Sequence, residues 1–327
     1  MKKLANIPLL RRKSLGLGIL EESYDVGDTL ALDEYATIYK VVRQEDGKQL
    51  ACMELDKNEI VPDSLVKDDF QKLKDISHPN IISHVDSISD YKFTYIIMEP
   101  MPGNVLLEKM GEHEPVTEAK VVRIIKQVLD ACDYLHKHGI VHRDLNPEHL
   151  FFKDDSSESP IMLCGFGMAA VCKDAYRNGS LKGICGRYGF ISPERFLEEP
   201  RYNAKVDIWS IGVITYILLS GELPFTSNKR QEYLDQIENS STTLFNSKIW
   251  DKISENAKDF NYFLLKAESS GRPTAAEAME HIWIRDDALD IPLIGKEQLF
   301  RTRDDVKKRE LFAKADSMRR LSDLGLF

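Results

Sequence analysis

The chain has 327 residues, 43% of them hydrophobic, with a formal net charge of −9. This length can bury a sizeable core and accommodates two lobes, while the acidic balance argues against a general nucleic-acid or anionic-membrane surface. Five cysteines (Cys52, Cys132, Cys164, Cys172, Cys185) are an odd number without paired spacing, mostly in apolar runs. That usage points to a reducing compartment, cytoplasmic with the nucleus left open.

The opening Met1-Lys2-Lys3 is basic, but Asn6 and Pro8 interrupt the apolar run behind it and Arg11-Arg12-Lys13 ends it, against a signal peptide. Residues 1–22 therefore read as a basic, flexible leader. From Tyr24 to Leu55 short alternating apolar runs, with Asp46-Gly47 as a turn, predict a β-meander. A helix is expected over 64–77, and strands over Ile81–Val85 and Tyr95–Met98. Thr117 is a candidate N-cap for a long helix whose apolar positions Val121, Ile124, Ile125, Val128, Leu129, Cys132 and Leu135 recur at helical spacing. The most apolar stretch, Ile208 to Leu219, is too short to span a bilayer and reads as a buried helix. Beyond residue 165 the chain is expected to be mostly helical to about residue 285.

Two stretches carry the chemistry. One is His142-Arg143-Asp144-Leu145-Asn146-Pro147-Glu148-His149-Leu150, and after a short strand comes Cys164-Gly165-Phe166-Gly167. In order, spacing and flanks this resembles the protein-kinase catalytic loop H-R-D-L-x-x-x-N followed by D-F-G. Ile191-Ser192-Pro193-Glu194 resembles the A-P-E element, whose Glu pairs in that family with a late Arg, here Arg272 in Gly271-Arg272-Pro273-Thr274. Asp207-Ile208-Trp209-Ser210-Ile211-Gly212 is similar to the central buried helix, whose Asp braces the catalytic loop. Tyr216 to Phe225 and Ala278 to Ile284 look like the calcium/calmodulin-dependent kinase group. The resemblance runs from about Tyr24 to Ile284. It implies an α+β, two-lobed kinase-like fold: a small antiparallel β lobe over 23–101, a larger helical lobe over 102–285, and a regulatory or docking helix within 286–327.

Kinase chemistry needs a glycine-rich phosphate cradle, a lysine on the phosphates, magnesium and a base. Each part can be placed by this resemblance. The cradle aligns with Ala31-Leu32-Asp33-Glu34-Tyr35-Ala36, so all three glycines are replaced, by Ala31, Asp33 and Ala36, and two carboxylates stand where phosphate oxygens would lie. Met53 stands at the strand-3 lysine, and its usual glutamate partner aligns with Asp69. Lys40, Lys48 and Lys57 are the nearby cations that could substitute. His149 and Gly165 stand at the two magnesium ligands. Gly165 offers no donor, and imidazole suits zinc or copper rather than magnesium. No His/Cys cluster with ligand spacing surrounds His149, so no metal is assigned. Asn146 replaces the catalytic-loop lysine. Asp144 keeps the base position, read as a structural remnant.

The adenine pocket is a separate question. Tyr95 to Met101 resembles the hinge, with Met98 as gatekeeper and Glu99 and Met101 facing an adenine edge. Ile38 and Ala51 match the apolar roof, Phe151 stands at the floor, and Val105 at the ribose-contacting acid. Met53 and Phe151 are expected to fill the pocket and hold the lobes closed without ligand. A second apolar column is expected from His142, Phe166 and Leu73, with His84 at its outer end.

Arg11-Arg12-Lys13-Ser14 and Arg319-Arg320-Leu321-Ser322 both resemble sites of basophilic kinases, which makes Ser14 and Ser322 candidate phosphosites. Gly186-Arg187-Tyr188 replaces the usual Gly-Thr before the substrate-docking turn, which weakens the case for activation by phosphorylation there. The segment 296–327 carries nine Lys/Arg against six Asp/Glu, a balance of +3, on an amphipathic pattern. It is expected to dock on the helical lobe, with calmodulin as the alternative partner.

These residues together lead to the expectation of a pseudokinase: not an enzyme, but a scaffold or allosteric regulator in signalling, with a protein partner such as an active kinase. No cofactor is expected, weak metal-independent ATP binding being left open. Two alternatives stand: an atypical magnesium-independent Ser/Thr kinase using Asp144, and a nucleotide sensor without turnover.

Overall fold

A computed structural model describes residues 17–32, 36–57, 70–101, 103–110, 115–156, 158–171, 181–182, 185–197, 200–286, 290–295 and 297–308. Alternating apolar residues build a five-stranded antiparallel sheet at the N-terminal end. Its strands are β1 (Tyr24–Leu32), β2 (Ala36–Arg43), β3 (Gln49–Asp56), β4 (His84–Ser89) and β5 (Phe93–Met98), in the order β1-β2-β3-β5-β4. The predicted Asp46-Gly47 turn links β2 to β3: Gly47 has φ 70°, and the Asp46 carboxylate accepts from the Lys48 amide at 3.0 Å. Opposite Met53 the register places Ile38 on β2 and Ile96 on β5, and Ala51 faces Met98. One face of the sheet joins the inter-lobe core. The other buries Leu50, Cys52, Tyr95 and Ile97 against Leu20 of the leading 3-10 turn.

The strand expected over 81–85 begins later, at His84. Ile81 instead bridges Leu163, and the Ile82 amide donates to the Leu163 carbonyl at 2.9 Å. The cause is Asn80, whose Nδ2 donates to Gln127 Oε1 and to the Ile161 carbonyl, both at 2.8 Å, and so ties this segment to the helical lobe. Of the helix expected over 64–77, the described part is α1 (Phe70–Lys74). Asp69 lies outside the described residues.

The helical lobe is built on α2 (Glu118–Lys137) and α3 (Lys205–Ser220). Thr117 caps α2 as expected, its Oγ1 accepting from the Lys120 amide at 3.2 Å. Helix α3 is buried on every side from Val206 to Ser220 and ends at Gly221, with φ 66°. Gly212 lets α4 (Glu255–Leu264) approach α3: a Cβ there would lie 2.8 Å from the Leu265 side chain, and Asn261 Nδ2 donates to the Gly212 carbonyl.

The last helix among the described residues, α5 (297–308), docks on this lobe. Leu299, Thr302 and Val306 are buried, Gln298 Nε2 donates to the Ser220 carbonyl at 2.5 Å, and the Thr302 hydroxyl donates to the Gly221 carbonyl. Ser14 and Ser322 lie outside the described residues. Among the described residues no helix is long and apolar enough to cross a membrane.

Candidate functional site

The catalytic-loop region is held from below by Asp207. Its Oδ1 accepts from the Arg143 amide at 2.8 Å, and its Oδ2 from the His142 amide and from His136 Nε2, both at 2.9 Å. Burial opposes charge on this carboxyl, yet the His136 hydrogen bond and the neighbouring imidazoles hold it below the usual carboxylate range. The brace has a conformational purpose. Arg143 has φ 68°, alone among the described non-glycine residues in being positive, and such a backbone persists only where surrounding bonds fix it.

Glu194 and Arg272 form the expected pair, bidentate at 2.7 and 2.6 Å. The guanidinium also donates to the carbonyls of Lys266, Ala267 and Lys205 and stacks over Trp209. A second buried arginine, which the sequence reading missed, ties the end of the activation segment to the catalytic loop. Arg195 Nη1 donates to the Arg143 carbonyl at 2.9 Å, and Nη2 reaches Cys185 Sγ at 2.7 Å.

The apolar column forms as expected. Phe166 lies 5.0 Å from the rings of both His142 and His84, and Leu73 is fully buried. Both histidines are neutral by burial, His84 pushed down to about 4 and His142 lowered as well. The His142 tautomer is set by its neighbours: Nδ1 accepts from the Asp144 amide at 3.3 Å, so Nε2–H donates to the Cys164 carbonyl at 2.8 Å. His84 meets Phe166 edge-on at 89°, so a neutral imidazole takes the place of an apolar side chain in the stack.

At the metal positions the structure is explicit. Gly165 has φ 84°, and a Cβ there would lie 2.4 Å from His149 Cγ. The His149 ring therefore occupies the space a side chain at 165 would need. It is locked there by Nδ1–H, which donates to the Asp144 carbonyl at 2.7 Å, the same carbonyl that accepts from Asn146 Nδ2 at 2.9 Å. Asn146, in the place of the catalytic-loop lysine, caps the loop by accepting from the Glu148 amide at 2.9 Å. A glycine without a donor and an imidazole bonded to backbone do not suit magnesium, a hard cation that takes oxygen ligands. The residues at 149 and 165 thus do not fit the ion that kinase chemistry employs.

Between the lobes lies a cleft of about 560 Å³. Its walls include Ala31, Ala36, Ile38, Met53, Met98, Met101, Val105 and Phe151, and its floor includes Asp144, His149 and Gly165. Most of the expected pocket residues are thus brought together, and Ala51 packs in the core behind them, opposite Met98. Glu99 does not line the cleft; its carboxylate pairs with Lys48 at 2.8 Å on the surface. Asp33 lies outside the described residues. The expectation that Met53 and Phe151 fill the pocket is corrected: both stand in its wall and leave it open. Phe151 is held to the side by strand pairing with Met162 and a bridge to Val105, and Met53 points toward the Gly167 segment.

None of the nearby lysines replaces the one missing at Met53. Lys48 is taken by Glu99, Lys57 Nζ donates to the Asp90 carbonyl, and Lys40 is exposed outside the cleft. Four charged residues that the sequence reading did not place there do line it: Glu108, Glu148, Arg187 and Lys307. Lys307 arrives from α5 and pairs with Glu108 at 3.2 Å. The unusual Arg187 before the docking turn was the only sequence signal for any of them.

The protein kinase domain family matches residues 24–284. The chain belongs to the protein kinase family. It is 39% identical over 235 residues to calcium/calmodulin-dependent protein kinase type 1B of Rattus norvegicus, covering 71% of this chain and 66%, just under two thirds, of that relative. It is 34% identical to the type 1 enzyme of Macrobrachium nipponense, over 82% of this chain and 77% of the relative. With the type 1 enzyme of Caenorhabditis elegans the identity is 31%, over 85% and 80%. These relatives are named as kinases, and kinases are enzymes. That likeness overturns the expectation that the chain is not an enzyme. The departures at Met53, His149 and Gly165 bear on how phosphate and metal are handled within a family of enzymes.

Proposed function

We propose that the chain works in signalling as a scaffold or allosteric regulator built on the kinase framework, acting on a protein partner such as a kinase. The observation that carries this reading is a contrast within one loop. The braces that shape the kinase surface, Asp207 under Arg143 and Arg272 on Glu194, are complete, while the space beside Gly165 is given to the His149 ring. This role does not set catalysis aside. Asp144 lines the open cleft, which favours a second reading, phosphoryl transfer with Asp144 as base and no metal at 149 and 165.

One titration separates the two readings. The chain, as wild type and as Asp144→Asn, is added to a purified calcium/calmodulin-dependent kinase and that kinase's rate is followed. An equal change in rate with both proteins supports the regulator. A change that vanishes with Asp144→Asn, together with transfer activity of the wild-type chain alone, supports the second reading and sinks the first.

Calmodulin is proposed as a partner of 296–327, supported by the names of the relatives and by the basic amphipathic pattern. The buried Leu299 and Val306 imply that calmodulin would have to displace part of α5. Calcium-dependent binding to the intact chain, measured by titration with labelled calmodulin and strengthened by Leu299→Ala, is the expected result.

A further inference from the structure

We propose that the basic leader, residues 1–16, docks on the outer face of the β1–β5 sheet, and that phosphorylation of Ser14 releases it. The leader lies outside the described residues, so the inference is drawn from the face that would receive it and from the leader's sequence.

The first observation is where the chain reaches the sheet. The sequence reading counted residues 17–22 as part of a flexible leader, yet Leu17–Glu22 is a 3-10 turn seated on this face, with Leu20 fully buried in its apolar cluster. The Ser23 amide donates to the Leu20 carbonyl at 3.2 Å, and Gln44 Nε2 donates to the Glu21 carbonyl at 3.2 Å. The chain before Leu17 therefore starts from the sheet surface. A segment tethered there meets the face at high effective concentration and loses little further freedom on docking.

The second is the chemistry of the face. Beyond the buried cluster, Val26, Tyr39, Val85 and Ile88 are only half-buried and leave an apolar shelf. Its rim is acidic. Alternation along β3 puts Glu54 and Asp56 on the outer side with Cys52, and Asp86 on β4 stands opposite Ile97 of the same cluster. The neighbouring cations are engaged: Arg43 forks onto Asp46 at 3.0 and 2.6 Å, Lys57 donates to the Asp90 carbonyl, and Lys92 lies 3.8 Å from Asp56. Glu54 receives the Tyr39 hydroxyl on Oε1 at 3.4 Å, while its Oε2 has no hydrogen-bond partner among the described residues. An acceptor left in this way gains from a cationic donor laid across the rim.

The third is the leader itself. It carries five cations (Lys2, Lys3, Arg11, Arg12, Lys13), and no acidic residue occurs before Glu21. Leu9, Leu10 and Leu15 flank the Arg11–Lys13 cluster, which gives apolar groups for the shelf and positive charge for the rim. The reach is sufficient. From Leu50, which clusters with Leu20, to Glu54 the strand runs about 14 Å, and the four extended residues from Leu17 back to Lys13 span about as much. Ser14 follows directly on Lys13. A phosphate there brings close to two negative charges against the carboxylates, and like-charge repulsion opposes docking.

The test is carbodiimide cross-linking of the full chain, which joins a lysine amine to a carboxylate in contact with it, read by peptide mass spectrometry. Lys13 is expected to be joined to Glu54, Asp56 or Asp86 of the same chain, with a yield independent of protein concentration. The yield should fall at least about fivefold in 1 M salt, where charges are screened within about 3 Å. It should fall as far in Arg11→Glu with Arg12→Glu, and on phosphorylation of the chain by a basophilic kinase. Ser14→Ala should keep the full yield under the same kinase treatment. These leader substitutions lie outside the described core, and unchanged circular dichroism will show that the fold is kept. Absence of links from the leader to these three carboxylates would overturn the proposal. So would links that grow with concentration and join two chains, since a second copy would then receive the leader, or a yield unmoved by phosphorylation.

Discussion

His149 and Gly165 fit each other as ring and hollow, and the fit is the most consequential single contact in the cleft. A methyl group at 165 would lie 2.4 Å from the imidazole on a backbone with φ 84°. Gly165→Ala is therefore expected to destabilise the fold by about 2 kcal/mol or more through overlap and strain. In a His149→Ala background the overlap disappears and only the backbone part of the cost remains. A double-mutant cycle by urea unfolding checks this, and additive costs would contradict the fit.

Glu54, on the outer face of β3, gives a pH signature. Burial lifts its carboxyl to about 7, partly offset by the Tyr39 hydroxyl, against an ordinary 4.5. A raised folded value favours the protonated form, so this stability is full below pH 4.5 and is lost as pH rises through about 7. Glu54→Gln should match the wild type at pH 4 and exceed it at pH 8 by on the order of 1 kcal/mol, allowing for partial exposure. Unfolding at the two pH values reads it directly. At this scale the sequence told which residues replace the expected ones. It could not tell that the His149 ring fills the space at Gly165, because that depends on a rotamer fixed by Asp144 and Asn146.

Elements show why the framework was legible and the cleft was not. Asp207, Glu194 and Arg272 lie in stretches that resemble kinase elements, and the resemblance names their partners, so bonds spanning 64 and 78 residues could be expected in advance. Arg272→Ala would leave the Glu194 carboxylate without its guanidinium partner, and should cost about 3–5 kcal/mol in urea unfolding. The start of β4 was misplaced because Ile81 and Ile82 are apolar and β-branched for the sake of the lobe seam, which local pattern cannot separate from a strand. Helix α5 was expected to dock, and Leu299 shows where: the side chain is fully buried on the helical lobe. Leu299→Ala should cost about 2 kcal/mol or more in stability, measured by thermal unfolding. A cost near zero would mean that α5 is not packed in solution.

Across the whole molecule, two lobes meet along a column running from His84 through Phe166 to His142, with an open cleft beside it. The fold class followed from the resemblance to protein kinases, with which the order of strands first and helices after agrees. The openness of the cleft did not, since Met53 and Phe151 have the bulk to fill it, and only strand pairing turns them into walls. Nor did its charged rim, which gathers Glu108, Glu148, Arg187 and Lys307 from four separate parts of the chain. What unites these features is a kinase framework kept intact around a cleft whose residues at 149 and 165 do not suit magnesium. Titration calorimetry of the full chain with ATP, once in magnesium and once in EDTA, tests that claim most directly. The account expects affinities that agree within about threefold, and affinity at least about tenfold tighter in magnesium, with the gain lost in His149→Ala, would contradict it.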